Sequence, residues 1–186
     1  VLPLLQELSK PSIRPRHWDA VEVICGAEGL LRVDDAEFKL QDLMQQPLVD
    51  HFEEIEEVTI GADKQLDLEV KITEIRERWV SECLVFAEYK SRVGVHVMQG
   101  VPLLVEELEE AQMNLQTFLT SRHVLPFKKD TQELLQKLSD TSEALELWMK
   151  VQLQWSSLEV VFLGGDIAKQ MPVVAKRFQK MDKDFI

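Results

Sequence analysis

Glycine and proline are scarce in this sequence, seven of each in 186 residues. They act as punctuation between long stretches that contain neither, and such stretches favour long helices over many short strands. Cysteine is rarer still. Cys25 and Cys83 stand far apart on apolar faces, which reads as two reduced core thiols in a cytosolic-type compartment, with no disulfide framework. Basic residues number 21 against 33 acidic ones, a formal charge of −12. That balance argues against a nucleic acid, whose phosphates need a basic face, and against an anionic membrane surface. No apolar run approaches the ~20 residues of a membrane span. A signal-peptide pattern is missing, and the chain opens on Val1, which reads as an internal piece of something larger.

Recognisable chemistry is also missing. There is no glycine-rich phosphate loop, no GxGxxG, no HExxH, no Cys-x-x-Cys, no Glu-x-x-His and no GxSxG elbow. His17, His51, His96 and His123 are scattered and read as surface or hydrogen-bonded structural histidines. Glu53, Glu54, Glu56 and Glu57 read as a solvated helix face, because no histidine or second carboxylate cluster completes a site. No catalytic, cofactor or metal site is expected in these residues. What is present is apolar: 45% of the residues are hydrophobic, so disorder is not the default.

Leu2–Leu8 reads as the tail of a helix, ended by "KPSIRP". Pro15 suits the first turn of the next, where its missing N–H is an orphan anyway. Trp18, Val21 and Cys25 share a face of that helix, and Gly26 ends it. "VDDAEFKLQDLMQQ" predicts a short helix with Asp34 or Asp35 near its start and Leu40, Leu43 and Met44 inward. From Pro47 a stripe runs through Phe52, Ile55, Thr59, Ala62, Leu66, Leu68, Ile72, Ile75 and Trp79. It predicts one helix over 48–83, roughly 54 Å long, with Gly61 as its weak point at roughly 1 kcal/mol against alanine. "LVFAEY" and "VGVHVM" predict a β-hairpin at about residues 84–98, joined by "KSR" and Gly94. Pro102 opens a helix that faces inward through Leu104, Leu108, Ala111, Leu115 and Phe118.

The stretch "MKVQLQW", Met149–Trp155, alternates like a strand. Nothing bounds it as one, since no Pro or Gly occurs between Pro126 and Gly164. Leu134, Leu138, Thr141, Leu145, Trp148, Val151, Trp155, Leu158 and Phe162 keep a heptad-like rhythm, so a helix from Phe127 to Leu163 is predicted, about 55 Å long. Met149 and Leu153 then fall on a second apolar face, and packing on two sides is expected. "GGD" stops this helix and offers Asp166 as an N-cap. Pro172 starts a last helix with Val174, Phe178, Met181 and Phe185 inward. The tryptophans read as core anchors. Two such long helices exceed a compact domain of this size, with its radius of gyration of roughly 16 Å. The expected fold is mainly α: an elongated rod of packed long helices carrying one small hairpin.

A resemblance adds to this. "RPRHW" (Arg14–Trp18), the series Trp148, Val151, Gln152, Trp155, Leu158, Glu159 and Phe162, and "GGDIAKQMPVVAKRFQKMDKDF" (Gly164–Phe185) resemble the linker region of dynein heavy chains. "PFKKD" and "GGDIAKQ" are most similar to axonemal outer-arm chains of the gamma type. The family pattern has Leu at Met171, Trp at Phe185, and Glu at Val174. The resemblance covers nearly the whole chain and implies that residues 1–186 are part of the linker. In that family the linker is a helical arch over a ring of ATPase modules, and it bends and straightens with the nucleotide cycle.

The implied role is therefore mechanical: a lever segment of a microtubule motor in the axoneme of a cilium or flagellum. ATP and magnesium belong to the parent chain's AAA+ ring, outside these residues. The implied partners are that ring, the other heavy, intermediate and light chains, and microtubules through the parent chain, with no nucleic acid and no membrane. The competing reading is a static scaffold that docks light or intermediate chains. The residues expected to carry the mechanical role are Trp18, Trp79, Trp148, Val151, Gln152, Trp155, Leu158, Phe162, Gly164, Gly165, Pro172 and Phe178. Within this set Gly164–Gly165 is either a point of compliance or a plain helix stop.

Overall fold

A computed structural model describes residues 2–186 apart from 28, 30, 32, 34–37, 91, 164 and 165. The elements in chain order are helices α1 (Leu2–Leu8), α2 (Pro15–Cys25), α3 (Leu40–Met44) and α4 (Phe52–Ser81), then strands β1 (Val85–Glu88) and β2 (His96–Gln99). Helix α5 (Val101–Leu119) follows, then a 3-10 turn over Arg122–Phe127, α6 (Lys128–Leu163), α7 (Ile167–Gln170) and α8 (Pro172–Phe185). The fold is mainly α, with long helices and one two-stranded antiparallel hairpin. The chain divides into two compact units, Val1–Ile75 with Phe118–Lys128, and Arg76–Thr117 with Lys129–Ile186.

In the first unit the core consists of Leu4, Leu8, Val21, Leu31, Leu43, Leu48 and Ile55, with Trp18, Cys25 and Phe38 packed against it. Helix α2 starts with Pro15 in its first turn and ends at Gly26, whose φ of 64° is the left-handed conformation that a helix stop uses. The Glu22 carboxylate then takes the free N–H groups of Gly29 and Leu31, at 3.1 and 2.7 Å, and holds the chain as it leaves the helix.

The connection before α2 is fixed to α4 by polar contacts. Ser12 Oγ donates to Asp63 at 2.6 Å, with Lys10 at 3.0 Å on the same carboxylate. His17 is buried. Its Nδ1 accepts from the Arg14 N–H at 2.9 Å, which places the ring proton on Nε2, 3.0 Å from the Gln65 carbonyl. Burial lowers the His17 pKa, with the Gln65 hydrogen bond opposing. The imidazole is a neutral structural linker.

Several expectations are corrected here. Helix α3 begins only at Leu40, and of its apolar residues Leu43 alone is buried, because five residues give too short a stripe to bury Leu40 and Met44 as well. Asp34 and Asp35 lie outside the described residues. Helix α4 starts at Phe52, not at 48: residues 48–51 form turns, and Phe52 stays partly exposed. Cys83 is exposed just beyond α4, so only Cys25 is a partly covered thiol, and both are free.

In the second unit the strands pair with Phe86 opposite Met98 and Glu88 opposite His96. They are shorter than predicted. Val93 belongs to the turn and is 91% exposed, since Gly94 at φ 85° turns the chain there. The turn is closed by Tyr89 N–H donating to Val95 O at 2.8 Å. Helix α5 buries Leu108, Ala111 and Leu115, as its spacing predicts.

Helix α6 is one unbroken run of 36 residues, about 54 Å at 1.5 Å per residue. "MKVQLQW" is helical throughout. The inward seam, however, is Thr131, Leu134, Leu138, Ser142, Leu145, Gln152 and Trp155. Ser142 replaces Thr141, and on the second face Met149 is only partly buried and Leu153 is 61% exposed, so that face is not packed as the second seam predicted. Helix α8 buries Ala175, Phe178 and Asp182 in place of Val174 and Met181. Asp166 stands at the N-cap position of α7 without a capping hydrogen bond, and its carboxylate instead meets Lys169 at 3.0 Å.

Candidate functional site

The polar and aromatic contacts of the second unit converge where α6 meets both the hairpin and α8. Gln152 faces the open edge of β2. Its Nε2 donates to the Met98 carbonyl at 2.9 Å, and its Oε1 accepts from the Met98 N–H at 2.8 Å. The side-chain amide replaces the peptide group of a missing neighbouring strand. Unpaired strand edges must be satisfied in this way or by water.

One turn along, the indole N–H of Trp155 donates to Asp182 Oδ1 at 3.0 Å. Arg92, from the hairpin turn, holds the same carboxylate with both terminal nitrogens, at 2.8 and 3.0 Å. This fork-to-fork geometry is the strong form of a charge-assisted bond. Arg92 lies foremost among the causes that hold the Asp182 carboxyl below its ordinary value, with the Trp155 indole adding to it against burial. Arg92 also stacks over the Trp155 ring at 5.6 Å and approaches Glu159 at 3.8 Å.

Aromatic rings fill the space around these bonds. Trp155 meets Tyr89 at 4.9 Å and stacks on Phe185 at 4.3 Å. Phe162 stacks on Phe178 at 5.6 Å. Tyr89, Val95, Trp155 and Phe178 make the buried cluster beneath them. The arrangement has no nucleophile, acid–base pair or phosphate cradle. Among the described residues no group of His, Cys, Asp or Glu is placed to hold a metal, and no helix is long and apolar enough to cross a membrane. Chemically it is a cross-brace: directional bonds tie a hairpin and a short helix to one long helix.

The structure brings Gln152, Trp155, Phe162 and Phe178 of the expected set together here. Trp148 is at the margin, 40% exposed and stacked on Phe185 at 5.7 Å, so it is not the core anchor that the heptad rhythm suggested. Val151 and Leu158 are exposed on the same side. Pro172 opens α8 and faces solvent. Trp79 lies elsewhere in the unit, under the Arg78 guanidinium at 5.2 Å, and Trp18 packs in the first unit. Gly164 and Gly165 lie outside the described residues.

The sequence pattern places Arg92 and Tyr89 only in the hairpin, and Asp182 only within the stretch that resembles the family. One signal pointed to Asp182: a carboxylate four residues after Phe178 on an apolar stripe needs a partner.

The family described as "Dynein heavy chain, N-terminal region 2" matches residues 1–186. The chain belongs to that family. Dynein axonemal heavy chain 8 of Homo sapiens is 38% identical over 99% of this chain. The dynein gamma chain of the flagellar outer arm of Chlamydomonas reinhardtii is 41% identical over the full chain, and dynein axonemal heavy chain 5 of Rattus norvegicus 37% over 99%. The chain spans only 4 to 5% of the length of these axonemal relatives.

Proposed function

We propose that residues 1–186 are a stiff part of the mechanical linker of an axonemal dynein heavy chain, passing conformational change from an AAA+ ring elsewhere in the same chain toward the tail during ciliary or flagellar beating. The ring's ATP chemistry and microtubule binding lie outside these residues. The partners follow from that place: the ring itself, and neighbouring heavy, intermediate and light chains of the arm.

One observation carries the reading. Helix α6 has no internal break over 36 residues, and directional bonds brace it to two other elements near its C-terminal end. A lever needs bending resistance and attachments that do not slip, and hydrogen bonds resist sliding where apolar contact alone does not.

The test is Leu138→Pro in the complete heavy chain, which breaks α6 at a cost of about 3 kcal/mol or more. Once loss of the helix has been verified in a folded motor, ATP turnover persists and microtubule gliding fails. Normal gliding with normal turnover rules out the lever role for α6. Normal gliding with lost binding of light or intermediate chains favours the static scaffold instead.

A further inference from the structure

On the outer side of the α6–α8 junction lies an open cleft of about 430 Å³. Trp148, Val151 and Leu158 line it from α6, and Phe178, Met181 and Phe185 from α8. The α6 residues, with Trp155, recur at intervals of three and four over nearly three turns. That is the pattern presented to a helix laid along a groove, where a small molecule would need a closed pocket. Trp148, Val151, Leu158 and Met181 are all exposed.

The border has a definite charge. In a chain of net charge −12, α8 exposes Lys176, Arg177, Lys180 and Lys183. Among the described residues, Glu159, Asp182 and Asp166 pair with Lys90, Arg92 and Lys169, and no ion pair involves those four cations. Arg177 stands one turn before Met181, and Lys180 one turn before Asp184, both of which line the cleft. The two cations therefore flank it, with Asp184 as the one acid in the lining.

We propose that this cleft is covered by an amphipathic helix of the same heavy chain, from outside residues 1–186, with apolar residues at helical spacing seated on Trp148 and Met181 and carboxylates meeting Arg177 and Lys180. Charge complementarity selects an acidic flank. The relatives are far longer than this chain, which covers 4% of them, so a heavy chain of their length carries many segments tethered to this cleft. A tethered segment binds at an effective concentration that a separate subunit rarely matches. The proposal does not rest on the lever reading, and the gliding result leaves it untouched.

The test uses the complete heavy chain, purified without other subunits and mixed with isotope-labelled copies. Hydroxyl-radical oxidation compares Trp148 with Trp155 of the same helix, and a zero-length carbodiimide cross-linker joins Lys180 to any adjacent carboxylate. A covered cleft brings Trp148 to within about twofold of Trp155. The expected cross-link joins Lys180 to an Asp or Glu of the same copy outside residues 1–186. Oxidation of Trp148 about tenfold faster than Trp155, the ratio of their 40% and 4% exposures, overturns the proposal. So does a cross-link between labelled and unlabelled copies, or protection that survives Arg177→Glu combined with Lys180→Glu.

Discussion

Gln152 satisfies both backbone groups of Met98 with one side chain, from a residue 54 positions away in sequence. Both bonds are buried, so neither has water as an alternative partner. Gln152→Leu keeps the shape and removes the bonding, leaving a buried N–H and a buried C=O. At about 1–3 kcal/mol for each unsatisfied group, the variant loses about 2–6 kcal/mol in urea unfolding. Hydrogen exchange at the Met98 amide accelerates with it. An unchanged urea midpoint would mean that the hairpin is not held by this residue.

The two tryptophans of α6 separate sharply. Trp155 is buried, donates to Asp182 and contacts two rings; Trp148 is half open to solvent. Trp155→Ala costs about 3–5 kcal/mol through lost burial and the cavity left behind. Trp148→Ala costs about 1 kcal/mol, mostly its stacking on Phe185. Thermal melts of the two variants give the ranking, and equal losses contradict the placement of the seam.

Acid acts on the junction through Asp182. Arg92, and then Trp155, depress its folded pKa below the ordinary 3.8. A depressed carboxyl stabilises the fold above its unfolded pKa and loses that contribution as pH falls through the folded one. The Arg92–Asp182 brace is therefore intact from neutral pH down to about 4 and weakens below it. Asp182→Asn removes this dependence. The stability gap between parent and variant in urea titrations is widest above about pH 4 and narrows in more acidic solution. A gap constant across that range means that the charge contributes nothing.

Gly61 sits inside α4 without needing to be glycine. A Cβ there meets only the His123 ring, at 3.9 Å, an ordinary contact, and the backbone is helical. Gly61→Ala raises stability by about 0.5–1 kcal/mol by reducing the freedom of the unfolded chain. A melting temperature that falls would show that His123 cannot accommodate the methyl group.

The sequence by itself determined where the helices run. Pro15 and Gly26 bound α2 as read, and the absence of any breaker from residue 127 to 163 makes α6 one helix despite the strand-like alternation of "MKVQLQW". These are local rules of backbone geometry, and they act wherever the chain goes. Only the tertiary structure decided which faces turn inward. Helix α6 carries apolar residues on more than one side, and hydrophobic attraction is non-directional, so Trp148, Val151 and Leu158 were as eligible for the core as Trp155. The hairpin settled the matter. The open edge of β2 takes its hydrogen bonds from Gln152, and with Gln152 inward Trp155 lies inward too, three residues along the same face. Its indole bonds Asp182, which Arg92 also holds, and this fixes the face of α8 with Ala175 and Asp182 in and Met181 out. Directional bonds between residues distant in sequence chose among faces that periodicity leaves equivalent.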